Sequence, residues 1–161
     1  MSKLALFVMT ALLVSESVFA QSKYEVLTPC QRVVTAGLNV PADFVVSVNH
    51  GPRRASRGNH FHAEIHASGK VLIEEERRSE GKLVKITSNR TISEQSVRKI
   101  YATVIACKFF TLKENYSRPG LRGGSSTNIS VTANGKQHSV TISRYTVTRF
   151  QTLQNTIDDC L

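Results

Sequence analysis

The sequence predicts a single α+β domain, an antiparallel sheet of about five strands with two helices packed on one face. The first observation is a series of short segments in which apolar and polar residues alternate, as in strands that bury one face. The second is a pair of longer segments whose apolar residues recur at helical spacing. Strands followed by a helix, a hairpin and a second helix are typical of an α+β domain.

The first half of the mature chain predicts strands. Residues 43–49 alternate apolar and polar side chains and predict the first strand. Residues 60–66 and 71–76 predict a hairpin, because the turn-forming residues 67–70 separate two strand-like runs. Residues 83–87 can supply a further strand after a polar turn.

The second half predicts a helix, a hairpin and a closing helix. The first helix begins near Thr91 with the spacing of a capping box, and Ser93 is an alternative cap. The hairpin turns at Asn134-Gly135, a pair that tolerates the positive φ angles of a tight turn. The closing helix begins at about Thr146. The helix side chains that we expect in the core are Val97, Ile100, Tyr101, Val104, Ile105, Phe150, Leu153 and Ile157.

Residues 1–20 have the pattern of a cleaved secretory signal peptide. Lys3 gives a positive start, residues 4–14 form a short apolar run, and cleavage is expected near Ala20. The run is too short to cross a bilayer and no later run is longer, so no transmembrane segment is expected. We therefore expect residues 21–161 to form a secreted or periplasmic domain in which disulfides are permitted.

The chain is strongly basic, with a formal net charge of +9. This excess favours acidic partners such as an anionic surface or glycan, although positive charge that serves solubility alone is the more common case. Arg53, Arg54 and Arg57 form a basic loop that could bind sulfate, phosphate or carboxylate groups, with a merely solvated loop as the alternative. The loop has no aromatic residue to stack on bases, which argues against a nucleic-acid partner.

Three cysteines make an odd count for an oxidising compartment. Cys107 lies in the apolar stripe of the first predicted helix and is expected to be a buried, free thiol. Cys30 and Cys160 then form the disulfide candidate, a tie between the two ends of the mature chain, while an intermolecular link remains the alternative.

One predicted strand carries a possible metal site. His60, His62 and Glu64 alternate with apolar residues and point to one face of the strand, and imidazole with carboxylate suits zinc. Ligands from a single strand are spread along it, so a solvated, histidine-rich face is the favoured alternative. No other cofactor is indicated.

Hydrolytic signatures are lacking in the sequence. It contains no Gly-x-Ser-x-Gly elbow, no His-Glu-x-x-His, no phosphate-binding glycine loop and no Cys-x-x-Cys. The acidic runs Glu74-Glu75-Glu76 and Asp158-Asp159 are typical of solvated hairpin and helix-end charges. The sequence therefore predicts a binding protein rather than an enzyme.

Residues 92–161 resemble the emfourin family, small protein inhibitors of thermolysin-like metallopeptidases. The similar features are a helix ending in Phe109-Phe110-Thr111-Leu112, a loop with glycine and proline, the segment 128–133, the segment Gly135-Lys136-Gln137-His138-Ser139-Val140 and a short closing helix. The chain differs from the family in its signal peptide, its three cysteines and the basic loop at 50–59.

The resemblance implies a non-enzymatic protease inhibitor whose partner is a secreted metallopeptidase. An inhibitor needs a rigid scaffold and a protruding loop that occupies the cleft of the protease. The candidate inhibitory loop is Arg118, Pro119, Gly120, Leu121 and Arg122, in which Leu121 suits an apolar specificity pocket. Two alternatives remain: a plain flexible connection at this position, and an exported binding module that uses the basic loop on anionic surfaces or glycans.

Overall fold

The computed structural model describes residues 29–52, 60–79, 82–117 and 124–161. The predicted signal peptide, residues 1–20, lies outside the described residues. So do the anion-binding candidates Arg53, Arg54 and Arg57 and the candidate inhibitory loop, Arg118 to Arg122. No helix among the described residues is long and apolar enough to cross a membrane.

Seven strands, two helices and one short 3-10 turn make up the described fold. In chain order they are β1 (Val45–Pro52), β2 (His60–His66), β3 (Lys70–Ser79), β4 (Lys82–Thr91), α1 (Glu94–Ala106), the 3-10 turn (Phe109–Thr111), β5 (Asn115–Ser117), β6 (Ser125–Ala133), β7 (Lys136–Ser143) and α2 (Thr148–Asp158).

The strands form one sheet in the order β4-β3-β2-β1-β6-β7-β5. All neighbours are antiparallel except β5 and β7, which are parallel. The α+β class is confirmed, but the prediction of about five antiparallel strands is not: the sheet has seven and is mixed. β5 accounts for the mixed character, and its three residues are too few to produce a visible alternation.

The core lies between one face of the sheet and the two helices. Alternate residues of each central strand are buried, which places their neighbours on the opposite face, here called the open face. Buried core side chains from the central strands are Val46, Val48, Ala63, Ile65, Ile129, Val131 and Val140. The helices add Val97, Ile100, Tyr101, Val104, Phe150, Leu153 and Ile157. Ile105, expected in this core, is instead 48% exposed.

Local signals fix the turn of the second hairpin and the start of α1. Asn134 and Gly135 have φ angles of 53° and 69°, as the predicted tight turn requires. Ser93 caps α1, since its hydroxyl accepts a hydrogen bond from the backbone N–H of Ser96 at 3.0 Å. The alternative cap named from the sequence is therefore the one used.

The disulfide joins Cys30 to Cys107, so the predicted bond between Cys30 and Cys160 is wrong. Cys107 lies at the C-terminal cap of α1, where the preceding residue, Ala106, accepts a hydrogen bond from the backbone N–H of Gln31 at 2.9 Å. This contact holds the chain next to Cys30 against the end of the helix. Cys160 is a free thiol whose partial burial raises its pKa.

Candidate functional site

Several strand ends lie side by side at one end of the sheet, here called the loop end. Pro52, the last residue of β1, pairs with Ser125, the first residue of β6. Ser143, the last residue of β7, pairs with Ser126 of β6 on one side and with Ser117, the last residue of β5, on the other. Chain connections that leave these positions therefore start close together.

A groove of about 670 Å³ opens on the open face at the loop end. It runs across β6, β1, β2, β3 and β4, because residues that pair across neighbouring strands point to the same face. Its polar side chains include Asn49, His60, His62, Glu74, Lys85 and Asn128. The groove therefore offers hydrogen-bonding groups and charges of both signs rather than an apolar pocket.

His62 is held in place on the floor of this groove. Its Nδ1 lies 2.8 Å from the amide oxygen of Asn49, the residue opposite it on β1. Glu74 lies opposite His62 on β3 and is ion-paired with Lys85 of β4 at 2.9 Å. These contacts leave the Nε2 atom of His62 as the ring position not used by Asn49, so the ring can hydrogen-bond to a ligand in the groove.

His60 lies against Gly51 at the mouth of the groove. A Cβ atom at Gly51 would come within 2.5 Å of Nδ1 of His60, closer than any real contact allows. The absence of a side chain at Gly51 therefore makes room for the imidazole. Asn128, on the far side of the groove, donates hydrogen bonds to the hydroxyls of Ser139 and Thr141 at 2.8 and 2.9 Å.

The proposed zinc ligands do not come together as a set. His60 and His62 both line the groove, whereas Glu64 lies farther along β2 and contacts His66 at 2.8 Å. Among the described residues, no three His, Cys, Asp or Glu side chains are grouped closely enough to hold a metal ion. The spacing of alternate strand residues explains this, since each step of two residues moves about 6.6 Å along the strand.

One hydroxyl and one imidazole form a pair near the loop end. Nδ1 of His50 lies 2.8 Å from the hydroxyl of Thr127, the residue opposite it on β6. Activation of a hydroxyl as a nucleophile also needs a group that orients the histidine. Within the described part of the chain no carboxylate is hydrogen-bonded to His50, and the carboxyl of Asp158 is close enough to interact with it electrostatically.

The segments that carry the other two candidate sites are flanked by residues of the loop end. Arg53, Arg54 and Arg57 fall between Pro52 and His60, and Arg118 to Arg122 fall between Ser117 and Gly124. The sequence did not single out Asn49, Glu74, Lys85 and Asn128 as groove residues, because their proximity depends on strand order and register. The only sequence signal was their position on the polar side of alternating strands.

No family model matches the chain, and no curated protein matches it significantly.

Proposed function

We propose that the protein is a secreted, non-enzymatic binding protein that inhibits a thermolysin-like metallopeptidase through residues 118–122. The observation that carries the proposal is the fixed position of both ends of this segment. Ser117 precedes it as the last residue of β5, and Ser125 follows it as the first residue of β6. An inhibitory loop needs such fixed ends, because ordering a loose loop on binding costs free energy.

The strand that leads into the segment is anchored by a buried tyrosine. Tyr116 of β5 is 7% exposed, and its hydroxyl accepts a hydrogen bond from the backbone N–H of Lys113 at 3.1 Å. Gly124, on the other side, lies directly against the guanidinium of Arg144. Each flank of the segment is thus held by a contact next to the sheet, with Lys113 before β5 and with Arg144 after β7.

The proposed inhibitor binds the protease without chemistry of its own. Leu121 enters an apolar specificity pocket of the protease, and the segment blocks the cleft while the sheet keeps its ends in place. A polar groove lined by Ser126, shortly after the segment in the chain, adds surface that a bound protein can cover.

The test is inhibition of thermolysin by purified residues 21–161 with the disulfide formed. We expect stoichiometric inhibition, and we expect Leu121→Asp to weaken it at least tenfold by removing the apolar contact. Leu83→Asp is the matched control, since Leu83 is a leucine of β4 that is 58% exposed. Absence of inhibition by the unaltered protein, or equal inhibition by both variants, would reject the proposal.

A second candidate function is binding to an anionic surface or glycan through Arg53, Arg54 and Arg57. It is favoured by cations that the structure describes at the same end of the molecule, namely Lys82 and Arg144. Their combined field would attract a polyanion, and the attraction would weaken with salt.

Elution from a heparin matrix with increasing salt tests this second candidate. Alanine at Arg53, Arg54 and Arg57 should lower the eluting salt concentration clearly more than alanine at Lys70, Lys99 and Lys136. The control triple removes the same charge from exposed positions away from the loop end. Equal shifts for the two triples would mean that net charge alone explains the retention.

A further inference from the structure

β4 forms one edge of the sheet, and almost all of its residues are exposed. It is hydrogen-bonded to β3 on one side, and no other described strand pairs with its second side. Nine of its ten residues are exposed, and the tenth, Ser88, is half-buried. A row of backbone N–H and C=O groups along the free side of β4 is therefore accessible from solvent.

β4 lacks two of the usual protections of an edge strand, a bulge and a proline, and Lys82 and Lys85 supply the charged kind. Its ten residues pair with β3 in unbroken register, so no bulge twists the edge away. The strand contains neither proline nor glycine. The opposite edge of the sheet, β5, is only three residues long. Short edges are common in natural sheets because they offer little to pair with.

Apolar side chains project from both faces of this edge. Val84 and Ile86 lie on the face that carries the helices, opposite Arg77 and Glu75 of β3, and are 41% and 46% exposed. Leu83 lies on the open face and is 58% exposed. A strand that pairs with β4 would cover all three, so pairing would bury apolar surface as well as satisfy backbone groups.

The charges of β4 indicate what such a strand would carry. Lys82, Lys85 and Arg90 are its charged residues, and it contains no acidic residue. Glu74 of β3 pairs with Lys85, and Arg90 donates to the main-chain oxygen of Leu161. Two copies of β4 side by side would bring two sets of these cations together, which disfavours self-pairing. An acidic strand would instead place negative charges opposite the cations of β4.

We propose that β4 is a docking strand that adds an extended, acidic segment of a protein partner as an eighth strand of the sheet. The segment places apolar residues opposite Val84 and Ile86 and acidic residues opposite Lys82 and Lys85. Backbone hydrogen bonds supply much of the affinity, and the alternating side chains supply the selection. This site is separate from residues 118–122 and does not depend on protease inhibition.

The test uses a fluorescent ten-residue peptide, with valine at positions opposite Val84 and Ile86 and glutamate opposite Lys82, Lys85 and Arg90. Binding to residues 21–161 is measured by anisotropy, and hydrogen exchange locates the protected amides. We expect saturable binding, protection along β4, and at least tenfold weaker binding of the same peptide with lysine in place of glutamate.

Two variants distinguish specific binding at β4 from nonspecific hydrophobic binding. Ile86→Asp should weaken peptide binding at least tenfold. Ile105→Asp should leave it within twofold, because Ile105 is similarly exposed, at 48%, but lies on α1. Circular dichroism confirms that each variant is folded. Equal binding of the lysine peptide, equal losses in the two variants, or a sedimentation-defined dimer that Ile86→Asp alone dissociates would overturn the proposal; the last outcome would assign the edge to a second copy.

Discussion

The two hairpins on either side of β1 and β2 have similar lengths and very different surroundings. In the β6–β7 hairpin, alternate residues are buried beneath the helices, and both strands have a neighbour on each side. In the β3–β4 hairpin, β4 has one neighbour and no buried residue. The two strands of each hairpin are hydrogen-bonded to each other. The hairpins differ in whether the helices cover one face and whether another strand covers the outer edge.

This difference is visible in the sequences of the two hairpins. β6 places its apolar residues on one parity, at Ile129, Val131 and Ala133, which suits a strand with one covered face. β4 places apolar residues on both parities, at Leu83, Val84 and Ile86. Because β4 has apolar residues on both faces and no buried residue, the described fold leaves its apolar side chains exposed.

The largest expected difference between the hairpins is in their contribution to stability. Ile129→Ala should lower the free energy of unfolding by about 2–5 kcal/mol, because it leaves a cavity at a fully buried position. Ile86→Ala, the matched change in the open hairpin, should cost only about 0.5 kcal/mol. Urea denaturation followed by circular dichroism measures both. Similar losses for the two variants would contradict the comparison.

The next effect concerns the disulfide that ties Cys30 to the end of α1. Replacing Cys30 and Cys107 together with alanine should cost about 2–4 kcal/mol, because the bond closes a long loop of the unfolded chain. Amides of β6 and β7 should then exchange faster, since their protection follows global unfolding. Amides of β4 should change little, because we expect an exposed edge strand to exchange through local opening rather than global unfolding.

Cys160→Ala serves as the control for the disulfide variant. It removes a half-buried thiol that forms no disulfide, so its denaturation midpoint should stay much closer to that of the unaltered protein than the midpoint of the double variant does. A loss as large as that of the double variant would show that Cys160, and not the assigned pair, carries the cross-link.

Much of the fold could be predicted because local patterns and burial agree in the covered part of the molecule. The β6–β7 hairpin and its turn at Asn134-Gly135 are confirmed, and α1 is capped by the alternative residue, Ser93, rather than by Thr91. The bounds of β3 and β4 were predicted too short, since the ends of this open hairpin show no apolar alternation. β5 was missed, because only one of its three residues, Tyr116, is buried.

The site was less predictable than the fold because it depends on long-range pairing. His62, Asn49 and Glu74 meet in the groove through the register of three strands, which no local spacing reveals. The disulfide partner of Cys30 likewise depends on where the chain before β1 contacts the end of α1. Burial of Cys107 was expected from its position in the helix stripe, but burial alone does not distinguish a free thiol from a bonded one.

A smaller loss of stability is expected at the N-terminal cap of α1, which directly follows β4. Ser93→Ala should cost about 1 kcal/mol, because the backbone N–H of Ser96 loses the hydroxyl that accepts its hydrogen bond. Ser68→Ala, at an exposed serine of the β2–β3 turn, is the control and should be close to neutral. Thermal denaturation distinguishes them. If the two variants had the same melting temperature, the cap would contribute nothing to the stability of the covered part of the fold.

The smallest expected effect lies at the turn of the covered hairpin and depends on pH. The backbone N–H groups of Asn134 and Gly135 donate to the carboxylate of Asp43 at 3.0 and 2.6 Å, and these bonds hold its pKa below the ordinary value. Because the folded state favours the charged carboxylate, the stabilisation is complete above the unfolded-state pKa and disappears as the pH falls through the lower folded-state pKa. Asp43→Ala should therefore be less stable than the unaltered protein near neutral pH, and the two should converge in acid.

Glu114→Gln, at an exposed carboxyl, should show no such convergence. Denaturation midpoints measured from pH 2 to pH 7 test this, and a gap that stayed constant across that range would mean that the turn is held by its backbone conformation alone.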